Sequence, residues 1–215
     1  MKKLTLFYAY DVLCGWCFGF GPAMQGFLLE FGAELDLHVV NGGMVTGERV
    51  GPIGEVAGYI SEAYKDVEER TGIVFGEAFL NGTMKKGTAV FDSIPLAKAH
   101  LAMTAQDKLR SYEFSRALHN AIYVLGIEPR DMDALKKVAE ELGLDGERFL
   151  ADFDSETVLA EMNQGFALCQ QLEVRGFPTL VLANEEGNYV KFASGALPLE
   201  HLREMYGRAK AALEG

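Results

Sequence analysis

The sequence predicts an α/β fold with a block of helices set into it. Three observations carry this. The first 40 residues alternate strand, helix, strand. The stretch from Glu55 to Asp154 is patterned almost throughout as helix. After Ser155 the pattern becomes helix, two strands and a closing helix.

LTLFYAY (Leu4–Tyr10) is short, apolar and aromatic, and reads as a buried strand. Phe20, Met24, Phe27, Leu28 and Phe31 then recur at steps of three and four. That spacing predicts a helix from about Cys14 to Phe31, with Gly32 placed to end it. ELDLHVV (Glu34–Val40) is the second strand, so the chain opens with a β-α-β unit and a parallel pair joined by a right-handed crossover. The glycine-dense run Asn41–Gly54 reads as a long connection. It lacks the glycine and lysine spacing of a phosphate-binding loop. The charge-rich SEAYKDVEER is a solvated helix face on which Asp66 and Arg70 can pair.

Ser93 is placed as an N-cap with Pro95 in the first turn of the next helix. Phe114, Leu118, Ile122 and Leu125 share a helical face that stops at Gly126. Met132, Leu135, Val138 and Leu142 share another that stops at Gly143. A long helix is capped near Ser155. Phe177–Asn184 and Asn188–Ser194 are strands joined by the turn NEEGN, and Pro198 opens the final helix. The expected organisation is a discontinuous α/β domain over residues 1–48 and 155–215, with a helical insert over 49–154.

A net charge of −11 argues against nucleic acid and anionic membranes as partners. No stretch approaches the roughly 20 apolar residues of a membrane span. The N-terminal apolar run is short, is broken by Asp11 and precedes no small-residue cleavage site, so it reads as a strand and not a leader. The expected location is the cytoplasm. Three cysteines make no disulfide framework.

Two of them form Cys14-Gly15-Trp16-Cys17, which surrounds the only tryptophan. A redox dithiol, half of a zinc site and two inert buried residues all compete for this tetrapeptide. Zinc needs two more ligands, and Cys169, His38, His100, His119 and His201 show no ligand spacing. At a strand-to-helix junction, Cys14 should occupy the helix N-terminus, where unpaired N–H groups and the helix dipole favour a thiolate. Cys17, one turn on, should be more buried and less reactive, with Trp16 and Phe18 over the apolar side. Cys169 lies on the core stripe of Val158, Met162, Phe166 and Leu172 and reads as an inert thiol. His100 and His119 fall within helical patterns and read as structural or exposed.

The second motif is VRGFPTLVL (Val174–Leu182): a helix end, a Gly-aromatic-Pro corner and a strand. With Asp11, Cys14, Gly15, Trp16, Cys17, Gly176, Phe177, Pro178 and Thr179 in these places, the chain resembles the DsbA-like thioredoxin-fold thiol-disulfide oxidoreductases. It is most similar to the FrnE-like branch, in which a helical domain interrupts a thioredoxin-like fold. The resemblance implies that Cys14 and Cys17 are catalytic and that the bond before Pro178 is cis and faces them. Trp16, Gly176, Phe177 and Pro178 would receive an extended substrate. The implied partners are protein or peptide thiols, and the chain would act as a monomer or homodimer. No cofactor or metal is implied beyond the cysteine pair, with glutathione or a dithiol reductant as co-substrate. In a reducing cytoplasm the direction would be reduction or isomerisation.

The chain departs from the family pattern at three points. The strand before the dithiol carries no acid, which leaves Asp11 as either a proton acceptor for Cys17 or a plain loop residue. A second cysteine pair near the C-terminus is absent. Gly-Trp matches neither Gly-Pro nor Pro-His between the cysteines. Two other functions share the fold or the site. Kappa-class transferases and 2-hydroxychromene-2-carboxylate isomerases activate glutathione with a serine-type residue, where this chain has Cys14. A peptide-binding chaperone would keep the dithiol only as a vestige.

Overall fold

The computed structural model describes residues 3–214. Strand β1 (Leu4–Tyr10) leads into helix α1 (Gly15–Phe31), and β2 (Leu35–Asn41) returns parallel to β1 with Leu4 opposite Leu35 and Tyr10 opposite Asn41. The connection after β2 contains a short strand, β3 (Gly51–Pro52). Helix α2 (Ala57–Thr71), a π-helical turn at Ala78–Met84 and β4 (Val90–Phe91) follow, and β4 pairs with β3. Next come α3 (Ser93–Thr104), α4 (Ser111–Tyr123), α5 (Met132–Glu141), α6 (Gly146–Phe153) and α7 (Glu156–Gln171). The chain closes with β5 (Thr179–Ala183), β6 (Tyr189–Ser194) and α8 (Leu199–Glu214).

β2, β1, β5 and β6 form one sheet in that order, with β5 antiparallel to both neighbours. Alternation along β1 divides the core. Leu4, Leu6, Tyr8 and Tyr10 join the large cluster that contains Cys14, Cys17 and the α1 and α8 side chains. Ala9 faces the other way, into a small cluster with Val40 and Cys169, with Phe7, Leu168 and Phe177 against it. The sheet therefore separates Cys169 from the cysteine pair.

The helices lock onto α1 at the point where its own hydrogen bonding fails. Pro22 lies inside α1 and has no N–H for the carbonyl of Phe18 four residues back. Arg116 of α4 supplies the missing donor at 2.9 Å, and Tyr112 donates to the carbonyl of Gly21 at 2.7 Å. Gly21 is needed here, because a Cβ on it would fall within 1.7 Å of the Arg116 guanidinium.

Four sequence expectations change. Asp92, not Ser93, caps α3, by accepting the Ile94 N–H. Helix α4 ends at Tyr123, which leaves Leu125 exposed instead of on the core face. The connection after β2 holds a short strand as well as coil. Arg70 is not paired with Asp66; its guanidinium lies over the Trp16 ring, 5.8 Å from the centroid. The Ser155 cap of α7 is present, accepting the Val158 N–H.

Candidate active site

The site sits where β1 hands over to α1. Cys14 is the N-cap residue, with extended backbone, and its Sγ accepts the Cys17 N–H at 3.2 Å. This satisfies one of the donors that every helix start leaves unpaired. The Cys14 thiol also lies 3.4 Å from the Phe177 carbonyl oxygen, to which it can donate. The Phe177–Pro178 peptide is cis. Its ring sits against Gly42, where a Cβ would come within 2.0 Å of the ring. The three cysteines are free thiols.

Cys14 is 5% exposed and Cys17 is 0% exposed, the order that one turn of helix predicts. Burial, reinforced by the neighbouring Cys14, pushes the Cys17 thiol well above its ordinary value. Burial also pushes Cys169 up, to about 12, with the charge of Asp11 adding to it.

Asp11 is buried, and its carboxylate accepts from the N–H of Leu13 (2.9 Å), the N–H of Met44 (2.7 Å) and the hydroxyl of Ser93 (2.9 Å). Burial raises its pKa, and these donors oppose the rise. Its backbone carbonyl accepts from His119 Nε2 at 3.1 Å. One residue thus ties the cysteine loop to the segment after β2, to the start of α3 and to α4. Ser93, which the sequence places as a cap, belongs to this set instead. Its partner is 82 positions away, so no local pattern marks it.

A cavity of about 240 Å³ opens beside Cys14, and Leu13, Trp16, Met44, Ile60 and Phe75 are among its walls. Among the described residues no charged side chain lines it. Of the Gly176-Phe177-Pro178 corner, Phe177 is the residue that touches Cys14. Among the described residues no group of His, Cys, Asp and Glu could hold a metal ion, and no helix is long and apolar enough to cross a membrane.

A mixed sheet with a cysteine pair at the head of its first helix and a cis-proline corner beside it defines a thioredoxin-class domain. The profile of the DSBA-like thioredoxin domain matches residues 5–207, and the chain belongs to that family. The cytosolic disulfide reductase DsbM from Pseudomonas aeruginosa is 30% identical, with a TM-score of 0.82 over 97% of this chain and 100% of that one. DsbM has also been solved with GSH. A candidate protein disulfide isomerase from Nitrosomonas europaea superposes at a TM-score of 0.84 with 25% identity, covering 98% and 99% of the two chains. A 2-hydroxychromene-2-carboxylate isomerase shares the fold at 16% identity, with a TM-score of 0.64 over 97% of each chain. The ClpXP adapter protein SpxH from Bacillus subtilis is 20% identical over 86% of this chain and 60% of its own length. The chain thus spans about three-fifths of the curated relatives it matches.

Proposed function

We propose that this chain is a thiol-disulfide oxidoreductase that exchanges disulfides with protein or peptide thiols through Cys14 and Cys17. The observation that carries this reading is the Cys14 thiol, held at the head of α1 by the Cys17 N–H and set against the Phe177 carbonyl. In the first step the Cys14 sulfur attacks a substrate disulfide R–S–S–R′. A Cys14–S–S–R bond forms, and R′S⁻ leaves to take up a proton. In the second step the Cys17 sulfur attacks Cys14 Sγ. The Cys14–Cys17 disulfide forms, RS⁻ leaves, and the Cys17 proton balances its charge. Two equivalents of a low-molecular-weight thiol, glutathione among them, or one of a dithiol, return the pair to the reduced state. No metal or organic cofactor enters these steps.

Trp16, Gly176, Phe177 and Pro178 form the substrate-facing surface in this reading. The Phe177 carbonyl offers an extended peptide a strand-like hydrogen bond. The Asp11 carboxylate is already engaged by three donors, so we assign it to holding the cysteine loop in place. The likeness to a cytosolic disulfide reductase at 30% identity supports the reducing direction. It equally supports the cytoplasm as the location.

The raised pKa of Cys17 keeps it a thiol until the second step, which makes Cys17→Ser the decisive variant. Incubated with glutathione disulfide, it should accumulate one stable glutathione adduct on Cys14 by intact mass. The wild-type chain should pass through this adduct to the internal disulfide. An adduct on Cys169, or none on Cys14, would contradict the assignment. Emission from Trp16, the only tryptophan, reports the wild-type conversion in parallel.

A further inference from the structure

Arg70 presents an unexplained charge next to the cysteine pair. It is exposed, in the last turn of α2, and forms no ion pair among the described residues. Asp66 stands one helical turn back, and the chain carries eleven more negative than positive charges, yet no carboxylate neutralises this guanidinium. Instead it lies over Trp16, between the two cysteines. A guanidinium held near an aromatic ring without an ion pair keeps its N–H fork open. That fork accepts a carboxylate through two parallel hydrogen bonds.

Two concavities along α1 differ in charge. The cavity beside Cys14 has no charged wall, so a carboxylate placed there would be desolvated without a partner. Further along α1 a second groove of about 250 Å³ has Gly19, Phe20, Thr71 and Leu197 among its walls. Among the described residues Arg70 is the only charged side chain lining it. An extended chain advances about 3.3–3.6 Å per residue, so one or two residues from a sulfur bound at Cys14 cover a span comparable to the 5.8 Å between the Trp16 ring and the Arg70 guanidinium.

We infer that Arg70 is a specificity-determining residue that binds a carboxylate carried one or two residues from the reacting sulfur of the substrate. The assignment rests on the thiol-disulfide reading above and deepens it. Two sources share this chemistry: the terminal carboxylates of glutathione, and an acidic side chain near a cysteine in a peptide.

The test compares kcat/KM, with dithiothreitol as reductant, for four substrates. These are glutathione disulfide, the uncharged hydroxyethyl disulfide, and a disulfide-linked peptide with either Glu or Gln two residues from its cysteine. Arg70→Gln should lower kcat/KM for the carboxylate-bearing substrates about 3–10-fold, mostly through KM, the range expected of a partly exposed charge-assisted pair. It should leave hydroxyethyl disulfide and the Gln peptide within about twofold. Arg70→Lys should recover part of the loss, and added salt should erode the wild-type preference. A loss confined to glutathione disulfide identifies glutathione as the source, and one confined to the Glu peptide identifies an acidic peptide. Equal losses on charged and uncharged substrates would overturn the assignment and make Arg70 a support for Trp16. Wild-type protein that turns over none of the four would remove the thiol-disulfide reading itself.

Discussion

Replacing Cys14 by serine is expected to lower disulfide turnover by about 10³-fold or more, because a hydroxyl is a far weaker nucleophile than a thiolate and forms no mixed disulfide. The fold should be unaffected. Serine is among the best N-cap residues, so its Oγ can take over the Cys17 N–H that the Cys14 sulfur accepts. The side chain is smaller, and the site borders a cavity that tolerates the lost volume. Insulin reduction in a dithiothreitol-coupled assay gives the activity, and urea unfolding checks that stability is retained. A variant that keeps a tenth of the activity would mean that Cys14 is not the attacking sulfur. Binding of unfolded clients that survives in the double Cys14→Ser, Cys17→Ser variant would point to the chaperone alternative.

The largest expected effect on stability comes from pH. His100 and His119 are both 0% exposed. His100 sits between the Asn41 side-chain amide (3.1 Å) and the Ser111 carbonyl (2.9 Å). His119 donates from Nε2 to the Asp11 carbonyl. Burial pushes His100 down to about 4. Burial and the nearby Arg116 push His119 down to about 3. Both are therefore neutral in the folded chain, whereas the unfolded chain protonates them near pH 6.5. The stability they contribute is intact above that pH. It is lost as pH falls toward their folded values, since the unfolded state then binds protons that the native state refuses. Going from pH 7.5 to pH 5 should cost about 2 kcal/mol per histidine, about 4 in all. That is a large part of a typical 5–15 kcal/mol. Asp11 works the other way: its raised pKa returns some stability as it takes up a proton at lower pH. In His119→Gln the amide can replace the Nε2 donor without titrating, so the loss between these two pH values should fall by about half. Urea unfolding at both pH values measures it, and an undiminished loss in the variant would rule out His119 as a source.

What the sequence shows of this protein divides by distance along the chain. The Cys14 position at the helix start, the Ser155 cap and the β-α-β opening all follow from patterns within a few residues. The Phe177–Pro178 corner was legible only by pairing two short motifs through a family resemblance. Local pattern cannot separate Ser93 from Asp92 as the cap, because both offer the same capping chemistry, and the role of Ser93 is set by Asp11, which no window contains. Helical spacing offers Arg70 only Asp66 as a partner. The structure gives it Trp16, a partner on another helix of similar small worth. His100 and His119 looked ordinary in sequence because burial is decided by which helices meet.

The contact between Cys14 and Phe177 spans 163 positions, and this bears on how the chain is made. A ribosome adding about 5–20 residues per second takes roughly 8–30 s to travel from one to the other. The cysteines therefore leave the exit tunnel long before β5 exists to lie beside β1 and before the proline corner exists to face them. A nascent chain in that interval holds two nucleophilic sulfurs with nothing to choose their targets. A maleimide pulse on stalled ribosome-bound chains should label Cys17 readily when the stall lies before Phe177. The label should fade once α8 has emerged, and labelling that does not depend on stall position would refute the idea. On the thiol-disulfide reading, selectivity is thus the last property the chain acquires, while free thiols are among the first, and elongation speed over the helical stretch sets how long the two are out of step.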